Sequence, residues 1–172
     1  MKGWKSALRI IIESTLMACL LGIALDMVTA HIAVEYFTYY HVKVVDSESP
    51  VVMALVWGVY AAYWFGIIAG ILLVIANEAR KQPLAVSRIR RILCRGCIGI
   101  WSTLMLILGG TYLSYERLHP GPYNNFEAER RLASVTTTHS TEYILGAIVT
   151  LIACYLVWSH PTPINSAATE TD

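Results

Sequence analysis

The chain has 172 residues, of which 56% are hydrophobic and 15% are charged, and its formal net charge is +1. Soluble domains carry about 25% charged residues, so the composition argues against a soluble protein and favours a membrane protein. The sequence has no basic tract with interleaved aromatic residues, and we therefore expect no nucleic-acid partner.

Four charge-poor stretches are long enough to cross the apolar core of a bilayer, which requires about 20 residues of helix. We predict an all-α fold, in which four transmembrane helices form an integral membrane bundle surrounded by lipid, within a single domain of residues 1–160. The predicted helices cover residues 8–38, 50–79, 90–116 and 140–159. We expect residues 117–138 to form an outer loop with a short amphipathic helix, and residues 161–172 to form a disordered tail.

The first predicted helix carries charged residues inside its apolar run. Arg9 and Glu13 lie one turn apart, and we expect an ion pair between them. Asp26 falls on a stripe of small residues, which lets another helix approach closely. Since a carboxylate is costly against lipid, Asp26 is predicted to be a buried polar residue that faces the bundle.

The N-terminal segment also has the pattern of a secretory signal. Basic residues in 2–9 precede an apolar run, and Val28-Thr29-Ala30 provides small residues typical of a cleavage site. Glu13 interrupts the apolar run, which favours a retained helix. Both interpretations stay open at this point.

The second predicted helix begins with Ser49-Pro50, an N-cap residue followed by proline at the first helical position. Small residues then recur at every fourth position, at Ala54, Gly58, Ala62, Gly66 and Gly70. We call these five residues the small-residue ridge. Such a ridge predicts close helix packing, and it also offers a surface for a second copy of the chain or for another membrane protein.

The placement of Lys and Arg predicts the orientation of the helices. The N-terminus and the connection between the second and third helices carry nine of these residues, whereas the two opposite connections carry four. The positive-inside rule then places both termini in the cytoplasm and residues 38–49 and 117–138 outside it. The expected location is the inner (plasma) membrane.

Polar residues that suit metal binding gather at the predicted outer ends of the helices: His31, Glu35, His41, His139 and Glu142. His31 and Glu35 lie one turn apart, and His139 and Glu142 share a similar spacing at the start of the fourth helix. Such pairs could hold a transition metal, two opposed histidines could hold a haem, and a proton relay is a third chemistry. The competing interpretation is that polar side chains are common where helix ends meet water.

Helical geometry separates Asp26 from part of this group. At 100° per residue Asp26 lies about 140° from His31 and about opposite Glu35. We therefore expect two features, with Asp26 in packing or a buried path and His31 with Glu35 on another face.

A motif runs through the first half of the chain. Asp26 and Thr29 form D-x-x-T, and Glu35-Tyr36-Phe37-Thr38 is followed three residues later by His41. Further elements are Ser49-Pro50, Trp57-Gly58, Trp64, Gly66, Gly70 and His139 with Tyr143. In these elements the chain resembles a family of bacterial polytopic, four-helix membrane proteins without known activity. The resemblance implies a membrane location and no reaction. The family's proline after the motif histidine is replaced here by Val42.

Three functions compete on this evidence. The outer cluster could bind a ligand, metal or partner without chemistry, or Asp26 and the cluster could serve an ion or proton transport component. The third function is a membrane metalloenzyme or haem oxidoreductase. The sequence has no nucleophile–base set, Gly-rich phosphate loop or H-E-x-x-H motif, so it does not indicate an enzyme.

Overall fold

The computed structural model describes residues 3–118 and 125–161, and within them every regular element is a helix. The helices are α1 (Trp4–Ile32), α2 (Glu35–Thr38), α3 (Pro50–Tyr60), α4 (Tyr63–Glu78), α5 (Val86–Leu118) and α6 (Phe126–Ser159). Four segments of the described chain are long and apolar enough to cross a membrane: Trp4–Ile32, Pro50–Glu78, Val86–Arg117 and Phe126–Ser159. The predicted all-α fold with four membrane-spanning helices is confirmed.

Helix α1 lies at the centre of the bundle. It packs against α3, α4 and α5, while α6 packs mainly on α5 and α4. Large apolar side chains point away from these contacts, including Leu20 (65% exposed), Leu106 (77%) and Leu113 (79%). Apolar surface of this extent suits lipid and is unfavourable in water.

The small-residue ridge is covered by α1 of the same chain. A Cβ atom on Gly58 would lie 2.4 Å from the backbone nitrogen of Ile23, and one on Gly66 would lie 2.6 Å from Cα of Thr15. Backbones this close leave no room for a third helix. The predicted packing role is therefore correct. The expectation of a second copy or a partner protein at Ala54, Gly58, Ala62, Gly66 and Gly70 is corrected, because α1 already occupies that surface.

The first two spans are interrupted where we expected continuous helices. The helix predicted over residues 8–38 is divided into α1 and the short α2, with Ala33 between them making a backbone bond to Thr29 O at 2.9 Å. The helix predicted over residues 50–79 begins at Pro50 as expected but breaks at 61–62. There the N–H of Ala62 bonds to Val59 O (3.2 Å), a tighter turn than the α-helical one.

Helix α6 begins at Phe126, well before the expected start at residue 140. Much of the segment predicted as an outer loop is therefore the first part of this helix. The hydroxyls of Ser134 and Thr138 donate to the carbonyls four residues earlier, both at 2.7 Å, so these polar residues do not need to cap a helix. Both side chains are fully buried, which shows that packing overrides their weak helix propensity. Residues 119–124 and most of the predicted tail lie outside the described residues.

Ion pairs and hydrogen bonds tie the helices together at the end of the bundle where α1 begins. The predicted Arg9–Glu13 pair is present at 2.8 Å, and Glu13 also lies 3.7 Å from Arg90 of α5. Arg80, after α4, donates to carbonyls at the end of α6: Val157 (2.7 Å), Trp158 (2.6 Å) and His160 (2.7 Å). The guanidinium thus satisfies acceptors that the end of a helix leaves unpaired.

Candidate functional site

A cavity of about 140 Å³ lies between the spanning helices. Small and apolar side chains form most of its wall, among them Ala18, Gly22, Gly66 and Gly146. The polar and aromatic residues that line it are Asp26, Tyr36, Phe37, His41, Trp57, His139, Glu142 and Tyr143. Apolar walls with a few polar groups are typical of a ligand site in a protein.

His139 lies between two carboxylates in this cavity. Its Nε2 is 3.6 Å from Asp26 Oδ1, and its Nδ1 is 3.5 Å from Glu142 Oε2. Asp26 and His139 are 4% and 7% exposed. Among the described residues, no Lys or Arg nitrogen lies within ion-pair distance of either carboxylate. The site therefore holds more acidic than basic groups. We call Asp26, His139 and Glu142 the acidic triad.

Thr29 of α1 adds a third polar contact to His139. Thr29 donates its hydroxyl hydrogen to the carbonyl of Leu25 at 3.2 Å. Its oxygen also lies 3.1 Å from His139 Nε2, within hydrogen-bond distance. The two ring nitrogens of His139 thus contact Thr29 and both carboxylates of the acidic triad.

Aromatic rings pack beside the acidic triad. The Tyr36 ring stacks on His139 with 4.8 Å between centroids, and His41 lies 4.5 Å from Tyr36 and 4.8 Å from Trp57. Phe37 completes this ring cluster, 5.1 Å from Tyr36. Burial raises the pKa of the Tyr36 hydroxyl to about 12, and acidic groups nearby add to the effect. We call Tyr36, Phe37, His41 and Trp57 the ring cluster.

The chain folds locally so that the ring cluster lines the cavity. Helix α1 ends at Ile32, and the short α2 that follows contacts α1 and α6 and contributes Tyr36 and Phe37 to the cavity wall. His41 is held in place by its Nδ1, which pairs with the carbonyl of Tyr36 at 2.7 Å. Trp57 reaches the same place from α3, next to the Gly58 crossing with α1.

Ser14 lines the cavity far from the acidic triad. It precedes Asp26 by three turns on α1, a separation of about 18 Å along a helix that rises about 1.5 Å per residue. Ser14 is 4% exposed, and its hydroxyl oxygen has no hydrogen-bond partner among the described residues. A buried polar atom without a partner is costly unless water or a ligand satisfies it.

The structure divides the five residues predicted as metal ligands. His41, His139 and Glu142 line the cavity, whereas His31 is exposed with its Nδ1 paired to Met27 O (2.7 Å). Glu35 lies 3.8 Å from Arg131 and does not line the cavity. Within residues 3–118 and 125–161, no group of three or more His, Cys, Asp or Glu residues could hold a metal ion. The five predicted ligands do not form one site there.

The cavity also limits the size of a cofactor. Its volume of about 140 Å³ is close to that of an engineered protein cavity that binds benzene, about 150 Å³. A haem is several times larger than benzene, so this cavity does not accommodate one.

The sequence did not predict the partner of Asp26, nor a place in the cavity wall for Ser14, Phe37 and Trp57. Asp26 meets His139 of α6, although the sequence linked His139 only to the outer cluster. Phe37 and Trp57 appeared only as parts of a motif, and Ser14 was not singled out. Two features of the sequence could have pointed to these residues. Ser14 is a polar residue inside an apolar run, and Trp57 lies beside the small-residue ridge.

No model of a known protein family, no curated protein and no solved structure matches this chain. The family resemblance of the motif therefore stays a prediction. Part of the motif comes together in space, since the cavity wall includes Asp26, Tyr36, Phe37, His41, Trp57, His139 and Tyr143 but not Glu35 or Trp64.

Proposed function

We propose that the protein is a multi-pass protein of the inner (plasma) membrane that binds a small molecule in the cavity between its helices. Both termini face the cytoplasm in this proposal, and α2 lies on the opposite side. The distribution of Lys and Arg supports this orientation. The observation that carries the binding role is a cavity that combines the acidic triad with an apolar wall.

The acidic triad is expensive to maintain in this environment. Ionisable residues within a membrane cost several kcal/mol, and they typically mark sites or pathways. A role in stability alone would favour apolar residues of similar volume at Asp26 and His139, because buried ion pairs contribute little net stability. Close packing would also fill the cavity, as it does in most of a protein interior. A binding role accounts for both the charges and the space.

The shape of the wall indicates how such a molecule would lie. A polar group would contact Asp26, His139 and Glu142, and an apolar part would lie against the small residues that α1 contributes to the wall, Ala18 and Gly22. Glycine and alanine at this wall leave room for the apolar part, because longer side chains would fill the space. The volume restricts the occupant to about the size of benzene.

One observation favours a second function, a component of ion or proton transport. His139 contacts two carboxylates through its two ring nitrogens, an arrangement that can pass a proton from one side of the ring to the other. Ser14 offers a polar atom farther along the same cavity. Transport would require a polar path through an otherwise apolar wall, and for this reason we place binding first.

Binding of small solutes to the purified protein in lipid nanodiscs tests the proposal. Cationic, neutral and anionic solutes of about the size of benzene are measured by saturation-transfer NMR. Ala61→Phe adds a ring at the cavity wall, and Val59→Phe adds the same ring at an exposed position two residues earlier. We expect the wild type and Val59→Phe to bind at least one solute class and Ala61→Phe to lose that signal. Equal signals from Ala61→Phe and the wild type would contradict the proposal.

A further inference from the structure

The electrostatic balance of the cavity restricts the charge of its occupant. Asp26 and Glu142 contribute two carboxylates, and His139 can supply at most one positive charge between them. The nearby guanidinium groups are engaged elsewhere: Arg130 pairs with Glu127, and Arg131 lies 3.8 Å from Glu35. Among the described residues the acidic triad therefore offers an anionic occupant no free Lys or Arg, whereas a cationic group would find carboxylate oxygens on both sides of His139.

The ring cluster provides a second, independent restriction. The His41 ring lies 4.5 Å from the Tyr36 ring and 4.8 Å from the Trp57 ring, measured between centroids, Phe37 lies 5.1 Å from Tyr36, and all four residues line the cavity. Aromatic faces attract cations through the ring quadrupole, most strongly for Trp and where water is excluded, and groups of rings recognise quaternary ammonium ions. A hard metal ion would instead require about six or more oxygen ligands. Within residues 3–118 and 125–161, no group of three or more His, Cys, Asp or Glu residues is placed to hold a metal ion.

We infer that the cavity binds a small organic monocation, an amine or quaternary ammonium group that carries a short apolar or hydroxylated chain. This inference rests on the proposed binding function and adds the chemical class of the ligand. The cationic group lies between the acidic triad and the ring cluster. The short chain extends from there along the apolar wall that α1 contributes to the cavity.

Three solutes of nearly identical shape and different charge distinguish the effect of charge on binding from the effect of size. Choline is the cation, 3,3-dimethylbutan-1-ol is its neutral isostere, and 3,3-dimethylbutanoate is an anion of similar volume. Each is titrated by equilibrium dialysis into wild-type protein in nanodiscs, with empty nanodiscs subtracted. Tetrabutylammonium is included as a cation too large for a cavity of about 140 Å³.

We expect choline to bind about tenfold or more tightly than its neutral isostere, because one well-placed cation–π contact with desolvation corresponds to about that ratio. The anion and tetrabutylammonium should not bind measurably. Trp57→Leu, which removes one ring, should lower the ratio of choline binding to isostere binding, and an unchanged ratio would overturn the role of the ring cluster.

The possible results distinguish this inference from the proposed function. Equal binding of choline and its isostere, with both lost in Ala61→Phe, overturns the inference and supports the binding function. Preferred binding of the anion likewise overturns the inference and supports the binding function. Binding of none of the four solutes overturns the inference. If the saturation-transfer signals of the cationic, neutral and anionic solutes are also the same for Ala61→Phe and the wild type, the proposed function fails as well.

Discussion

The imidazole of His139 on α6 faces the carboxylate of Asp26 on α1, with 3.6 Å between Nε2 and Oδ1. Both side chains are buried, and the second carboxylate, Glu142, lies on the other side of the ring. This contact joins the first and last helices at the polar part of the cavity. It also makes the stability of the bundle depend on residues that we assign to ligand binding.

Removing His139 should therefore destabilise the fold. His139→Ala leaves Asp26 and the Thr29 oxygen without their partner, and a buried polar group that loses its partner costs about 1–3 kcal/mol. Thermal unfolding in detergent measures the effect. His31→Ala is the matched control, because His31 is exposed on α1, and surface substitutions change stability by about 0.5 kcal/mol at most. Equal melting temperatures for the two variants would show that the contact has no energetic role.

The crossing of α1 and α3 should be intolerant of a single methyl group. In Gly58→Ala the new Cβ would lie 2.4 Å from the Ile23 nitrogen, so the helices must separate, at a cost of about 1–3 kcal/mol or more. Gly99→Ala is the control, since its Cβ would meet nothing within 4 Å and alanine favours a helix. Denaturant titration of the two purified variants compares them. The close packing would be refuted if Gly58→Ala were as stable as Gly99→Ala.

The end of α6 should loosen when Arg80 is shortened. Arg80→Gln removes the donors to three carbonyls there. Because Arg80 is only half-buried, we expect a loss of about 1 kcal/mol, or about fivefold faster amide exchange in the last turn of α6. Lys81→Gln changes the charge equally at the adjacent exposed position and should leave the exchange unchanged. Hydrogen exchange with mass spectrometry reads out both variants, and identical rates would contradict the capping role.

The stability of the protein should fall at alkaline pH because of Tyr36. Burial raises the pKa of its hydroxyl to about 12 in the folded chain, compared with its ordinary value of 10.0. The unfolded chain then loses this proton first, so the contribution of Tyr36 is complete below pH 10 and is lost as the pH rises towards 12. Unfolding measured across this range should show a smaller alkaline loss for Tyr36→Phe than for the wild type. Tyr39→Phe, at a residue that is 80% exposed, controls for the loss of one tyrosine. A wild-type curve parallel to that of Tyr36→Phe would refute the assignment.

The number of spanning helices and one close helix contact could be predicted from patterns in the sequence. Long apolar runs define the spans, and the spacing of Gly58, Gly66 and Gly70 predicts a close helix contact. The sequence does not say which helix fills that contact. Small residues on α1 and on the ridge make each surface suitable for several partners, and only the whole bundle selects α1. The partner role assigned to the ridge failed for this reason.

The boundaries of α6 and the composition of the site were harder to predict. Thr137, Thr138 and Ser140 are typical of a helix start, but local hydrogen bonds to the preceding turn and burial of Thr138 allow the helix to continue through them. His139 therefore lies inside α6 and faces α1, a contact that helical spacing on one segment cannot reveal. The predicted separation of Asp26 from His31 agrees with the structure, because one side chain is buried and the other exposed.

The central claim is that the acidic triad recognises a cation. It is tested most directly by measuring how strongly the Asp26→Asn variant prefers a cation over its neutral isostere. The substitution keeps the shape of the side chain and removes its charge, and Asp46→Asn makes the same change at a loop carboxylate whose side chain is 92% exposed. Equilibrium dialysis of choline and 3,3-dimethylbutan-1-ol gives the ratio for each variant. We predict that the preference of about tenfold or more falls several-fold in Asp26→Asn, in which Glu142 and the ring cluster remain, and persists in Asp46→Asn. An unchanged preference in Asp26→Asn would contradict recognition of a cation by the acidic triad.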